Sequence, residues 1–99
     1  MWNKVGKEAD ISEQNPALYQ GRDGAIAIFK AEGQYYALDN LCPHRGGPLA
    51  DGHSDSMSVV CPWHAWKFDL KTGECDGIPG VKQKCYPVKI ENGEVWVKT

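Results

Sequence analysis

Two short clusters, Cys42-Pro43-His44 and Cys61-Pro62-Trp63-His64, place the tightest constraint on how this chain can fold. Sixteen residues separate His44 from Cys61. Each cluster follows strand-like sequence, so each is read as a loop tip. A fold that brings the tips together offers two thiolates and two imidazoles to one centre. Such soft and borderline donors suit Zn²⁺ or an iron–sulfur centre. A structural zinc site is the plainer alternative, although zinc knuckles usually open on two cysteines, and a Cys-x-His opening is uncommon among them. Cys42, His44, Cys61 and His64 are the candidate ligands.

The rest of the chain reads as all-β. Ala25 to Ala31 and Tyr35 to Leu38 are aromatic and β-branched runs flanking Glu32-Gly33-Gln34, the pattern of a hairpin. Tyr86 to Ile90 and Glu94 to Lys98 form a second hairpin around Asn92-Gly93, the pair favoured by a tight type I′ turn. Shorter strands are predicted at Lys4-Val5, Ser58 to Val60 and Trp66 to Asp69, the last closed by a turn at Thr72-Gly73. Residues 7–12 could form one helical turn, and 40–56 and 71–81 are rich in turn formers. An antiparallel sandwich or small barrel with elaborated loops follows. At 99 residues this is one domain, 1–99.

The formal charge of −2 argues against broad attraction to nucleic acid or anionic lipid. No run approaches the roughly 18 apolar residues of a membrane span, and Met1-Trp2-Asn3-Lys4 does not open a secretory signal. The expected location is cytoplasmic, where four cysteines serve metal ligation more often than disulfides.

The clusters and their surroundings resemble the Rieske iron–sulfur family. The similarity lies in Cys42-Pro43-His44-Arg45-Gly46-Gly47-Pro48-Leu49, Asp51-Gly52, Cys61-Pro62-Trp63-His64-Ala65-Trp66-Lys67-Phe68-Asp69, Thr72-Gly73 and Tyr86-Pro87-Val88. The resemblance implies an antiparallel β-sandwich with a small cluster-binding subdomain of two loops: about 40–72 for the cluster, 1–39 and 73–99 for the base. It implies one [2Fe–2S] cluster, with Cys42 and Cys61 on one iron and His44 and His64 on the other, nearer the surface. Neutral imidazoles in place of two thiolates lower the negative charge at one iron, which favours reduction. High-potential members add a disulfide and hydroxyl donors to the cluster sulfurs. Here Gly47 and Trp63 stand at the disulfide positions, and Trp66 and Phe68 at those of the serine and tyrosine. Their absence implies a potential towards the lower end of the roughly −150 to +300 mV range.

The remaining candidates have plainer readings. Cys75 and Cys85 flank Asp76 to Val81, which resembles the family's proline-containing loop over the cluster; both are expected to be buried, inert thiols. His53 is expected in a solvated polar turn, Asp51 to Asp55. Trp63 is expected near the partner surface, Trp66 in the core, Trp2 and Trp96 as core or edge packing. Asp39, Asp51, Asp55, Asp69 and Asp76 hint at docking to a basic partner.

The motif and its supporting strands use up the chain, leaving no mononuclear-iron domain and no nicotinamide or flavin fingerprint. The resemblance then implies an electron carrier, not an enzyme by itself: a ferredoxin between a flavin-dependent reductase and an oxygenase. The alternative is the small subunit of an assimilatory NAD(P)H nitrite reductase, whose large subunit would be the acceptor.

Overall fold

The run Ala25-Ile26-Ala27-Ile28-Phe29 is apolar at every position, as in a strand covered on both faces. The computed structural model describes residues 1–13, 15–21, 24–40, 49–55, 57–61, 66–78 and 80–99, and it puts this run at the centre of the molecule. The strands are β1 (Trp2–Lys7), β2 (Ala17–Gly21), β3 (Gly24–Ala31), β4 (Gln34–Asp39), β5 (His53–Asp55), β6 (Ser58–Val60), β7 (Lys67–Asp69), β8 (Cys85–Tyr86), β9 (Val88–Glu91) and β10 (Glu94–Lys98). Short 3₁₀ turns occupy Glu8–Asp10, inside the predicted helical turn, and Leu49–Asp51. Among the described residues there is no α-helix, and every strand pairing is antiparallel. The all-β expectation holds.

Three sheets form, in the orders β1-β10-β9, β2-β3-β4-β8 and β5-β6-β7. The middle sheet is apolar on both faces because successive residues of β3 point opposite ways. Ile26 and Ile28 pack with Ile11, Ala37, Val95 and Val97, which joins the middle sheet to β10. Ala27, Phe29 and Ala31 pack the other way, with Leu38, Leu49, Val59, Phe68 and Leu70. Phe29, Leu38 and Phe68 are fully buried, and each such side chain contributes about 1.5–3 kcal/mol by leaving water.

Both predicted hairpins form. Between β9 and β10 the turn residues Asn92 and Gly93 have φ of 53° and 75°, as a type I′ turn requires. Between β3 and β4 the turn has two residues, not the expected three. Ala31 pairs with Gln34, and Glu32 and Gly33 take φ of 51° and 78°.

Three local expectations need correction. Tyr86 to Ile90 is not one strand. Pro87 lacks an N–H, and the chain changes sheets there: β8 pairs with β4, and β9 pairs with β10. β2 was not anticipated; Leu18 is exposed, so its run lacks a clear apolar alternation. His53 does not lie in a polar turn but in β5, paired with Val60 of β6, because the β6 backbone offers a pairing edge that outweighs local turn preference. Trp66 precedes β7, which starts at Lys67, and packs partly buried against the Phe68 cluster.

Candidate metal centre

Cys42, His44, His64 and Trp63 lie outside the described residues, so the centre is built here from the roots of its two loops. The first loop leaves the middle sheet after β4. Its root is Asn40, a polar residue only 6% exposed. The Asn40 amide donates to the Ala25 carbonyl at 2.9 Å, and the Asn40 carbonyl accepts from the Leu49 amide at 2.6 Å. The side-chain Oδ1 accepts from the Ala50 amide at 2.8 Å. One residue thus holds both ends of the segment 41–48. Asp39, just before it, is tied to the segment preceding Pro87. Its amide donates to the Lys84 carbonyl at 3.0 Å, and its carbonyl accepts from Gln83 Nε2 at 2.6 Å. Its carboxylate accepts from the Tyr86 hydroxyl at 2.5 Å.

The second loop joins β6 to β7. The Cys61 amide donates to the Trp66 carbonyl at 2.7 Å and closes the base of 62–65. Cys61 is 1% exposed and belongs to the Leu49–Val59–Phe68 cluster. The two roots therefore share one apolar core, and they touch at Gly52. A Cβ there would overlap the Val60 carbonyl oxygen, so only glycine lets the return arm of the first loop pass the root of the second.

Residues 73–78 lie against the strand that follows the second root. Asp69 Oδ1 accepts from the Lys71 and Thr72 amides at 2.8 and 3.0 Å, an Asx turn that redirects the chain after β7. Gly73 follows with φ of 80°, and a Cβ on it would overlap the Gln83 carbonyl oxygen. The Asp76 amide then donates to the Lys67 carbonyl at 2.8 Å, and Cys75 bridges to Phe68.

A family model for the Rieske [2Fe–2S] domain matches residues 1–90. The chain belongs to the Rieske [2Fe–2S] family. Like other Rieske proteins it carries one [2Fe–2S] cluster. It is 43% identical over 90 residues to the ferredoxin component of the naphthalene 1,2-dioxygenase/salicylate 5-hydroxylase systems of a Ralstonia species, covering 90% of this chain and 86% of that one. Among solved structures it is similar to the ferredoxin of Sphingomonas yanoikuyae B1, with a TM-score of 0.90 and 32% identity, covering 100% of this chain and 99% of that one. It is also similar to a chain in the complex of reduced oxygenase and oxidized ferredoxin in carbazole 1,9a-dioxygenase, with a TM-score of 0.89 and 26% identity, covering 97% and 91%.

The residues present fit a Rieske cluster. A buried thiol stands at a loop root in an apolar setting, the two loop bases adjoin, and the sequence puts one Cys and one His on each loop. Phe68 is fully buried in the core, and neither it nor Trp66 has a hydroxyl to offer a cluster sulfur.

Cys75 and Cys85 are thiols, as expected. Cys75 is buried, but Cys85 is exposed, which corrects the expectation that both are covered. Cys85 pairs opposite the buried Leu38, yet β8 is an edge strand, and solvent reaches its open side. Partial burial pushes the Cys85 thiol pKa up; Lys82 pulls it down, and Asp69 and Asp39 add to the rise. Two of the acids read as a docking patch have local work instead: Asp39 accepts from Tyr86 and Asp69 builds the turn. Trp2 and Trp96 lie half-buried at the far end, with Lys89 Nζ 4.7 and 5.9 Å from their ring centroids.

Asn40 was missed by the sequence reading. The signal was available: an Asx residue at the point where a strand gives way to a turn-rich segment favours side-chain bonds to backbone two or more residues on. No helix among the described residues is long and apolar enough to cross a membrane.

Proposed function

We propose that this chain is a one-electron carrier of the ferredoxin type. It takes electrons from a flavin-dependent reductase and delivers them to an oxygenase, without itself catalysing a reaction on a substrate. The observation that carries this reading is the match, over 90% or more of the chain, to ferredoxin components of dioxygenase systems, joined by the likeness to a chain in a complex of oxygenase and ferredoxin. Cys42 and Cys61 would hold one iron, and His44 and His64 the other, with 40–72 as the cluster-holding part and the remainder as the base. A cytoplasmic setting suits a reduced thiol such as exposed Cys85.

When bound, the cluster supplies reversible one-electron chemistry. The protein's part is to hold it and set its potential. Cys61, buried in the apolar core, would supply negative charge as a thiolate. The neutral imidazoles of His44 and His64 would lower the charge at the iron they hold and so favour its reduction. Phe68 and Trp66 offer the sulfurs no hydroxyl bond, so nothing at those two positions stabilises the extra negative charge of reduction. A redox titration should therefore place the midpoint towards the lower end of roughly −150 to +300 mV; a value well above zero contradicts this account.

The function is tested by mixing the holoprotein with a flavin reductase and an aromatic-ring oxygenase. The expected result is NAD(P)H-dependent turnover that requires the carrier and weakens with salt, because a shuttle uses small interfaces. A stoichiometric, salt-resistant complex with a siroheme-containing chain, and no turnover with any oxygenase, would overturn the assignment.

A further inference from the structure

We propose that Asn40 is a positioning residue for the cluster, and that its side-chain oxygen holds the segment bearing Cys42 and His44 in register. This inference rests on those two residues being ligands. Asn40 is buried, and two of its bonds reach the far end of the segment: its carbonyl accepts from Leu49 and its Oδ1 from Ala50. Its amide anchors the same point to Ala25 on β3. Asn40 and the pair Leu49 and Ala50, which flank residues 41–48, thus meet at a single clasp, and joining the two ends lowers the entropy that ordering the segment between them costs. Cys42 is two residues from Asn40 in the sequence and His44 four, so Asn40 is the nearest described anchor to both. Asp39, held by Lys84, Gln83 and Tyr86, keeps the clasp from turning.

The chemistry needed at position 40 is an oxygen acceptor on a short side chain. Asn40→Leu keeps the bulk and removes the acceptor, leaving the Ala50 N–H unanswered; Asn40→Asp keeps the acceptor. Val97→Ala, in the distant core on β10, is the control for a general loss of stability.

The experiment compares these three variants with the wild-type holoprotein, purified anaerobically, by the rate of iron release to a ferrous chelator and by the EPR line shape of the reduced protein. Asn40→Leu is expected to release iron roughly tenfold faster, the ratio that goes with one unanswered buried donor, and to shift the line shape. Asn40→Asp should restore both readouts. Val97→Ala should lower the melting temperature and leave both unchanged. If Asn40→Leu gives no folded protein, Asn40→Ala removes the same acceptor with less bulk and should give the same two changes.

The proposal is overturned if the acceptor-lacking variants release iron at the wild-type rate, if Val97→Ala releases it as fast as they do, or if Asn40→Asp fails to restore it. Cys42→Ser separates this failure from failure of the ligand assignment. A full cluster in Cys42→Ser would remove the assignment itself, whereas an apo Cys42→Ser beside a wild-type-like Asn40→Leu would remove only the clasp.

Discussion

The two ends of the molecule are built differently although β3 serves both. At the base, strands of six, eight and five residues pair in long ladders, β1 with β10 and β3 with β4, and two-residue turns join consecutive strands. At the cluster end, β5, β6 and β7 have three residues each. Ladders that short are not stable alone. Among the described residues, what holds them is the apolar cluster around Phe68 and Leu49, the Asn40 hydrogen bonds and the Cys61–Trp66 closure. The expectation is that the base is stabilised mainly by its own sheets and that the cluster end gains more from a bound cofactor, since metal binding is coupled to folding.

The largest effect expected from this contrast follows removal of a ligand. Cys61→Ser should abolish the visible absorption of the cluster. Amide hydrogen exchange should then rise sharply in β5, β6 and β7 and little in β3, β4 and β10. Equal loss of protection at both ends would break the comparison.

Core truncation comes next. Phe68→Ala should cost about 3–5 kcal/mol, and Val97→Ala roughly 2 kcal/mol, from two buried methyl groups at ~0.8 kcal/mol each plus a small cavity. Only Phe68→Ala should also speed iron release, as read by denaturant unfolding beside a chelator assay. Gly52→Ala forces two loop roots apart and should cost about 1–3 kcal/mol, again with faster iron release.

The smallest effect concerns Cys85. Its raised pKa means the folded state binds that proton more tightly than the unfolded state does. Any contribution to stability is complete below the unfolded-state pKa and is lost as pH rises through the folded one. Alkylation followed by peptide mass spectrometry should give a pH midpoint above that of the same peptide unfolded, because the thiolate is the nucleophile. A midpoint at or below the peptide's value would contradict the burial assigned to it.

The same contrast explains what could be read from the sequence. The Asn92-Gly93 hairpin and the apolar run of β3 were legible because local turn chemistry and hydrophobic pattern determine them. The family was legible through the spacing of the two Cys and His clusters and their flanking prolines and glycines. β5 was not legible, since His53-Ser54-Asp55 becomes a strand only by pairing with β6. The division of Tyr86 to Ile90 between two sheets was hidden, although Pro87 marked where it falls. Asp39 looked like a surface acid until Tyr86 was brought beside it from 47 positions away in the chain. Such contacts depend on the assembled fold, and local sequence patterns do not record them.

The most direct test of the account is pulsed EPR of the reduced holoprotein, read for nitrogen bound to the spin-bearing centre. Two histidine nitrogens should couple strongly, from His44 and His64. A spectrum with no strongly coupled nitrogen, as four thiolate ligands would give, contradicts it.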